Sequence, residues 1–586
     1  MIADSRGWRR DIPLVVLLSV LAALSFGISF GDVTSNQVTY LPKGIQLAQP
    51  DFLARDWWLN ETVQYHVAFS RLVELLFLTG VPQTLMAVIN TGLIAGSLVI
   101  TYLIVVLLRV GASSFFVWSF VVAVFFLGSS TFAASLTYFF SAGLQPSTIA
   151  TFCFLAGMLC FLRGNDGLSG LVLGLGGAFH LNYAIIGLAC FGLAQASLGG
   201  RGLFRRMALQ QSCMLLVLLA NLPLILTLDA GATAAEKQFA ADIFFRIAEP
   251  FHYDPRSYLL MFLPFAAWHG LALADLVRLQ PGPARTRLRA LYLAMLIIIA
   301  VALALTTVTF VPLIARAFFF RLNPFALLIA CTVVGAAAAR RIEAPAAESP
   351  SGLLSKRDIV ADMLRLSAVV IICAFAWNVR IGGRLQSAMV VLPVLCAALL
   401  WMRPLVRTVW FGRALAFVRN RQMLAGAGLI LLAAAVSVDA KHFGMLTGPT
   451  QPAAVRTAGL YRWVTTTPAD SLFLTPTDMV DFRLATGRAI VVDDKAVPQG
   501  ARAVLEWYRR MGDVAGRPGW RTIAEASAGY RLMDSARIDM LAQKYHLDYA
   551  VIGNTAANKN IGGEIVYSDP WFLVLRCPLS RDGRQE

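Results

Sequence analysis

The chain has 586 residues, 58% of them hydrophobic and only 14% charged, at a mean hydropathy of +0.66. Soluble globular domains carry about a quarter charged residues, so much of this chain is not built to meet water. Of the formal charge of +16, little belongs to the tail: from Gln451 onward there are 17 Lys+Arg against 15 Asp+Glu. The remaining basic residues sit in short clusters between apolar runs, which is how a membrane protein marks its cytoplasmic loops and argues against a nucleic-acid partner.

Seven of the eight cysteines (Cys153, Cys160, Cys190, Cys213, Cys331, Cys373 and Cys396) lie within apolar runs, and only Cys577 is in the tail. No CxxC or Cys/His spacing occurs, so neither a disulfide framework nor a zinc site is supported.

A hydrocarbon core about 30 Å thick needs roughly 20 apolar residues in helical form. Arg6, Arg9 and Arg10 precede an apolar run at 12–30. That run is long for a signal peptide and lacks a small-x-small cleavage site, so it reads as an uncleaved first span. Further spans are expected at 83–108, 114–134, 146–162, 206–228, 257–277, 289–312, 323–339, 360–378, 385–402 and 423–440. The run 168–196 is too long for one span and is interrupted by His180-Leu181-Asn182-Tyr183; it reads as a hairpin of two short helices. The expected fold is a polytopic α-helical membrane protein of about 13 transmembrane helices.

With the N-terminus cytoplasmic, the inside loops collect Arg109, Arg163, Arg201, Arg205, Arg206, Arg285, Arg287, Arg340, Arg341 and the arginines of 403–421, as the positive-inside rule requires. The odd span count then puts the C-terminal domain outside. The chain divides into a membrane domain, 1–445, and an extracytoplasmic α/β domain, 446–586. In the latter, Ser471–Leu474, Ala489–Val492 and Tyr549–Ile552 read as strands, Ala453–Thr466, Ala501–Met511 and Asp534–Tyr545 as helices, and Glu564–Tyr567 with Trp571–Leu575 as a hairpin. It holds no GxSxG, P-loop or HExxH signature, and Asp493-Asp494 reads as a solvated acidic pair.

Three outer segments are too long to be turns. The first, 31–82, carries Asp32, Asn36, Gln37, Tyr40, Asp51, Asp56, Glu61 and an amphipathic stretch at Val63–Phe77 suited to the membrane interface. A carboxylate there, Asp32 or Asp56, can serve as general base toward an acceptor hydroxyl. Trp57-Trp58 read as an interfacial aromatic anchor. The second, Asp229 to Arg256, offers Arg246, His252 and Tyr253; the third, Phe310 to Asn323, offers Arg316 and Arg321 beside Phe318–Phe320. Arginine is the bidentate phosphate ligand, and a nearby histidine can share an anion at headgroup level. Gln145 and His180 add polar groups from the same side of the membrane.

This layout resembles the GT-C superfamily of integral membrane glycosyltransferases: a long acidic first loop ending in an amphipathic helix, the hairpin "GLGGAFHLNY", a count of thirteen and a terminal α/β domain outside. The resemblance covers nearly the whole chain. It implies a polyprenyl-phosphate-linked sugar donor, an extracytoplasmic acceptor and inverting transfer assisted by a first-loop carboxylate. The family often carries an Asp-Glu pair just ahead of a tyrosine; here the place before Tyr40 reads Asn36-Gln37, so the role falls to Asp32 or Asp56. Carboxylates able to serve Mg²⁺ or Mn²⁺ are present, but no spacing selects either. Competing readings are a transporter, for which an internal repeat and mid-membrane charges are missing, a polymerase or ligase of lipid-linked polysaccharide, and a non-catalytic scaffold of the cell envelope. Only seven of the 50 Lys+Arg are lysine, a bias common in high-GC bacteria, which suggests an inner membrane with the terminal domain periplasmic.

Overall fold

The computed structural model describes residues 7–25, 36–108, 114–123, 139–343, 426–430, 453–555 and 561–577, apart from single positions at 142, 258, 260, 261, 277, 278, 280 and 429. The spans expected at 360–378 and 385–402, most of 423–440, and Asp32 lie outside the described residues.

Among the described residues, five segments are long and apolar enough to cross a membrane: Pro82–Leu107, Leu181–Leu198, Leu203–Leu228, Pro283–Thr307 and Pro312–Ala337. Pro146–Leu162 and Asp166–Phe179 are apolar but shorter. Leu203–Leu228 is the most telling, because its apolar side chains are scarcely covered by protein. Phe204, Leu216 and Leu226 are 87%, 63% and 68% exposed. Water does not tolerate a helix that is apolar and bare all round, whereas hydrocarbon does. The chain is a helical protein with several membrane-length apolar helices and a small C-terminal sheet, which supports an integral membrane protein.

The run 168–196 divides at His180, as its polar interruption suggests. His180 has extended backbone (φ −145°, ψ 100°) and ends the helix Asp166–Phe179 while opening Leu181–Leu198. The first of these helices packs closely on Leu203–Leu228. A Cβ on Gly170 would strike the Gln210 backbone, and one on Gly174 would come within 2.8 Å of Cys213 Cβ. Small residues permit this approach, as is usual between helices in lipid. Gln210 donates to Ser169 Oγ at 3.1 Å across the same seam. Away from the hairpin tip, the buried Asp166 pairs with Arg287 at 2.6 Å.

The C-terminal sheet has five strands, β1 (Leu472–Leu474), β2 (Ala489–Ile490), β3 (Tyr549–Gly553), β4 (Glu564–Ser568) and β5 (Phe572–Arg576), in the order β2-β1-β3-β5-β4. β1 runs parallel to β2 and β3, while β3–β5 and β4–β5 are antiparallel. The strand sites expected from sequence are occupied, as are the helices Ala453–Val464, Ala501–Ala515 and Ser535–Tyr545. Ile523–Tyr530 is a further helix, capped by the Thr522 side chain on Glu525 N. One face of the sheet packs a small core around Leu460, Phe473 and Phe482. The other belongs to a larger core that takes in Leu53, Trp57, Trp58, Ile243 and Ala248 from the long connections of the membrane part. The terminal domain is thus packed onto those connections through a shared apolar core.

Two readings change here. Trp57 and Trp58 are 7% and 6% exposed, covered by the terminal domain and not anchored in a lipid interface. Arg510 lies 4.4 Å from the centre of the Trp57 ring and Arg483 lies 5.5 Å from that of Trp58. Asp493 is not a solvated acid either: it is 1% exposed and paired with Arg483. Sequence order hides the first fact, since Arg483 and Arg510 come from more than 400 residues beyond Trp57 and Trp58, whereas the partner of Asp493 is only 10 residues away.

Candidate functional site

The three long connections and the hairpin tip converge on Arg321. The third connection reaches it through a distorted turn: helix Pro312–Ala317 ends at Phe318, whose φ of +48° is left-handed. A bulky residue in that region is strained, and such strain persists where the surroundings enforce it, often at functional sites. A 3-10 turn, Phe319–Leu322, then carries Arg321 back beneath the loops.

Around the guanidinium stand aromatic groups from every contributing segment. Arg321 lies 5.8 Å from the Tyr183 ring centre and 5.0 Å from that of Phe318, and it hydrogen-bonds Tyr183. Its charge also acts on Tyr40 and Tyr253, on Tyr65 and His66, and on His180. Arg321 Nε is buried and, among the described residues, has no hydrogen-bond partner, nor does any described carboxylate pair with its guanidinium. A guanidinium not matched by a carboxylate is a ready receptor for an anion.

Two histidines meet beside it. His66 and His180 are 8% and 5% exposed, with ring centres 4.9 Å apart in an edge-to-face arrangement. Tyr40 meets His66 edge-on at 5.0 Å. Burial, with help from Arg321, pushes the His66 pKa down to about 3 and that of His180 well below the usual range. Both are neutral at pH 7. His66 Nδ1 lies 3.1 Å from the Phe179 carbonyl, which can only accept, so Nδ1 carries the proton and Nε2 keeps its lone pair. That Nε2 and His180 Nδ1 are buried without hydrogen-bond partners among the described residues.

The second connection supplies Glu249. A six-residue π-helix, Ile243–Ala248, precedes it, a rare form enriched at functional sites. Glu249 faces Lys495 Nζ at 3.8 Å and His252 Nε2 at 3.9 Å, both beyond hydrogen-bond range, and its buried Oε2 accepts no hydrogen bond from the described residues. Burial raises its pKa.

The residues singled out from sequence therefore part company. Tyr40, His180, Tyr253 and Arg321 gather in this cluster. Asn36 donates to Gln145 Oε1 at 3.2 Å, and the Gln37 side chain covers Gly143, so these three tie the first connection to the start of helix Pro146–Leu162. His252 stands at the edge, 5.8 Å from the Phe318 ring. Arg316 is turned away into a 2.8 Å ion pair with Asp229, and Arg246 pairs with Asp242 at 3.2 Å while lying 4.5 Å from the Phe310 ring centre.

Asp56 is elsewhere and fully buried. Its Oδ1 caps its own helix by accepting from Leu59 N at 3.1 Å, and its Oδ2 accepts from Arg483 Nε at 2.6 Å and from Ile490 N at 3.2 Å. With both oxygens bound inside a buried interface, Asp56 holds the first connection to the terminal domain. Asp32 lies outside the described residues. No group of three or more His, Cys, Asp or Glu residues able to hold a metal occurs among the described residues.

His66, Tyr65, Tyr183, Glu249 and Lys495 were not picked out from sequence as site residues. The only available signal was position: Tyr65-His66 and Glu249 sit in segments already noted for their length and polarity.

Residues 456–514 match a family described as Domain of unknown function (DUF6798). The match falls within the terminal domain and includes Arg483, Lys495 and Ala501, which meet Asp56, Glu249 and Asp229 of the long connections. No curated protein matches the chain.

Proposed function

We propose that this protein is a membrane glycosyltransferase of the GT-C type, with about 13 spans, moving a sugar from a polyprenyl-phosphate-type donor to an extracytoplasmic acceptor. On this reading it lies in a bacterial inner membrane, with its terminal domain on the periplasmic side. The observation that carries the reading is Arg321: a guanidinium that pairs with no carboxylate among the described residues, at the meeting point of three long connections, at the edge of an apolar bundle and ringed by tyrosines. A lipid phosphate is the anion that fits a cationic group reached from hydrocarbon. The neutral histidines add hydrogen-bonding capacity without adding charge.

In the proposed transfer, an acceptor hydroxyl oxygen attacks the anomeric carbon while the bond to the phosphate oxygen breaks. The electron pair departs on the phosphate, and Arg321 stabilises the added negative charge, a role worth several kcal/mol when the site is dry. A carboxylate removes the acceptor proton. Asp56 is committed to Arg483, so that role belongs to another acid. Reconstituted full-length protein, given decaprenyl phosphate carrying a radiolabelled hexose or pentose, is expected to release decaprenyl phosphate. Arg321→Met is expected to reduce release at least 100-fold. Equal release from wild type and Arg321→Met removes the reading.

A further inference from the structure

We propose that Glu249 of the second connection is the group that takes the acceptor proton, with Lys495 of the terminal domain positioned to set its charge state. This rests on the transferase reading above. Four observations place Glu249 in that role.

It belongs to the Arg321 cluster by its surroundings. Tyr253, one turn away, lies 4.8 Å from the Phe318 ring, over which Arg321 sits, and Tyr253 N donates to the Glu249 carbonyl at 3.3 Å. Glu249 also interacts electrostatically with Tyr65. Second, its Oε2 is buried and accepts no hydrogen bond from the described residues, whereas both oxygens of Asp56 are bound. An unsatisfied buried carboxylate oxygen costs stability and persists where something else requires it. Third, the π-helix before it offsets the register of the chain at this point.

Fourth, the facing charges are arranged to tune a base. Lys495 and His252 flank Glu249, Asp494 lies within electrostatic reach, and the tyrosines 65 and 253 face it from two connections. Burial raises the carboxyl, and Lys495 opposes that rise. A carboxylate lifted part of the way toward neutrality accepts a proton better than an exposed one. The step balances. The acceptor oxygen forms its bond to the anomeric carbon, its proton passes to Glu249, and the pair from the broken bond leaves on the lipid phosphate held by Arg321. The protonated Glu249 then returns its proton to water.

The terminal domain acquires a function in this scheme, because Lys495 stands within the stretch matched by the family of unknown function. It carries one of the charges that govern the second connection.

The experiment compares wild type, Glu249→Gln, Glu249→Asp, Lys495→Met and Asp32→Asn, each as the full chain in liposomes, with farnesyl phosphate binding as the check on folding. Glu249→Gln is expected to bind farnesyl phosphate within threefold of wild type while kcat falls at least 100-fold, and Glu249→Asp to recover part of the loss. Lys495→Met is expected to move the acid limb of the kcat/KM profile about one pH unit upward, which a merely structural loss does not do. If wild type turns over and Asp32→Asn abolishes transfer while Glu249→Gln retains it, the assignment to Glu249 is wrong and the transferase reading survives. If wild type neither binds farnesyl phosphate nor releases decaprenyl phosphate, both are wrong.

Discussion

Arg483 donates its Nε–H to Asp56 at 2.6 Å, across 427 residues of chain, in an interface where the two side chains are 2% and 0% exposed. Asp493 flanks the same guanidinium. The first long connection and the terminal domain are locked by a buried acid–arginine–acid arrangement, and Arg55 reinforces it from the rim through Asp548 at 2.6 Å. The terminal domain is a fixed cover over the connections that build the Arg321 cluster.

Removing the arginine leaves two buried carboxylates, Asp56 and Asp493, without their cation. Arg483→Met is expected to lower stability by about 3–5 kcal/mol, read as a fall in the thermal midpoint of the detergent-solubilised chain. Asp56→Ala leaves Arg483 paired with Asp493 and is expected to cost less, and adding it to Arg483→Met should recover only part of the loss because Asp493 stays unpaired. The rim pair differs: Arg55→Ala is expected to cost about 1 kcal/mol or less for the ion pair itself. A stable, inactive Asp56→Asn would return Asp56 to the chemistry.

A second docking point is Asp229, which accepts from Ala501 N at 2.8 Å at the start of helix Ala501–Ala515 and also holds Arg316. Gly500, immediately before, has φ +90°, and a Cβ there would strike the Leu228 carbonyl. Gly500→Ala is therefore strained on two counts and is expected to destabilise by about 1–3 kcal/mol. Limited proteolysis should show faster release of the terminal domain in this variant, and unchanged proteolysis would contradict the docking.

Stability should also depend on pH through His66. Its pKa is near 3 in the folded chain against 6.5 when exposed, so the unfolded chain binds the proton first as pH falls. Above pH 6.5 the group contributes no pH dependence. Between about 6.5 and 3 stability is lost progressively, by on the order of 5 kcal/mol in total. His66→Phe should flatten that slope in thermal midpoints measured from pH 7.5 to 4.5; an unchanged slope would show that His66 is not the group responsible.

At Arg321 the expected order of anion affinity is wild type, then Arg321→Lys, then Arg321→Met. Lysine keeps the charge but loses the planar fork. Farnesyl phosphate binding is expected to weaken about tenfold in the lysine variant, equivalent to about 1.4 kcal/mol, and beyond detection in the methionine variant. Farnesol should bind all three alike, which separates recognition of the phosphate from that of the chain.

Much of the architecture is legible in the sequence because it is written locally. An apolar run too long for one span and broken at His180 had to turn there, and the short apolar runs at Ser471–Leu474 and Tyr549–Ile552 had to be strands. The site was legible only in part. Arg321 announced itself as an arginine beside phenylalanines at an interface. His66 and Glu249 carry no local pattern, since their meaning comes from which other loops meet them. Asp56 and Arg316 have the right chemistry for a site, yet each is drawn into a pair with a residue distant in sequence. Trp57-Trp58 fit a lipid interface as well as a protein one, and only the terminal domain packed over them decides between the two.

On the proposed function, Arg321 receives a lipid phosphate during sugar transfer. Release of decaprenyl phosphate from its radiolabelled sugar conjugate, measured for the purified chain in liposomes with Arg321→Met alongside, tests this. Wild type is expected to release it, and the variant to lose at least 100-fold. Release that is absent from wild type, or unchanged in the variant, would show that Arg321 does not hold the phosphate during transfer.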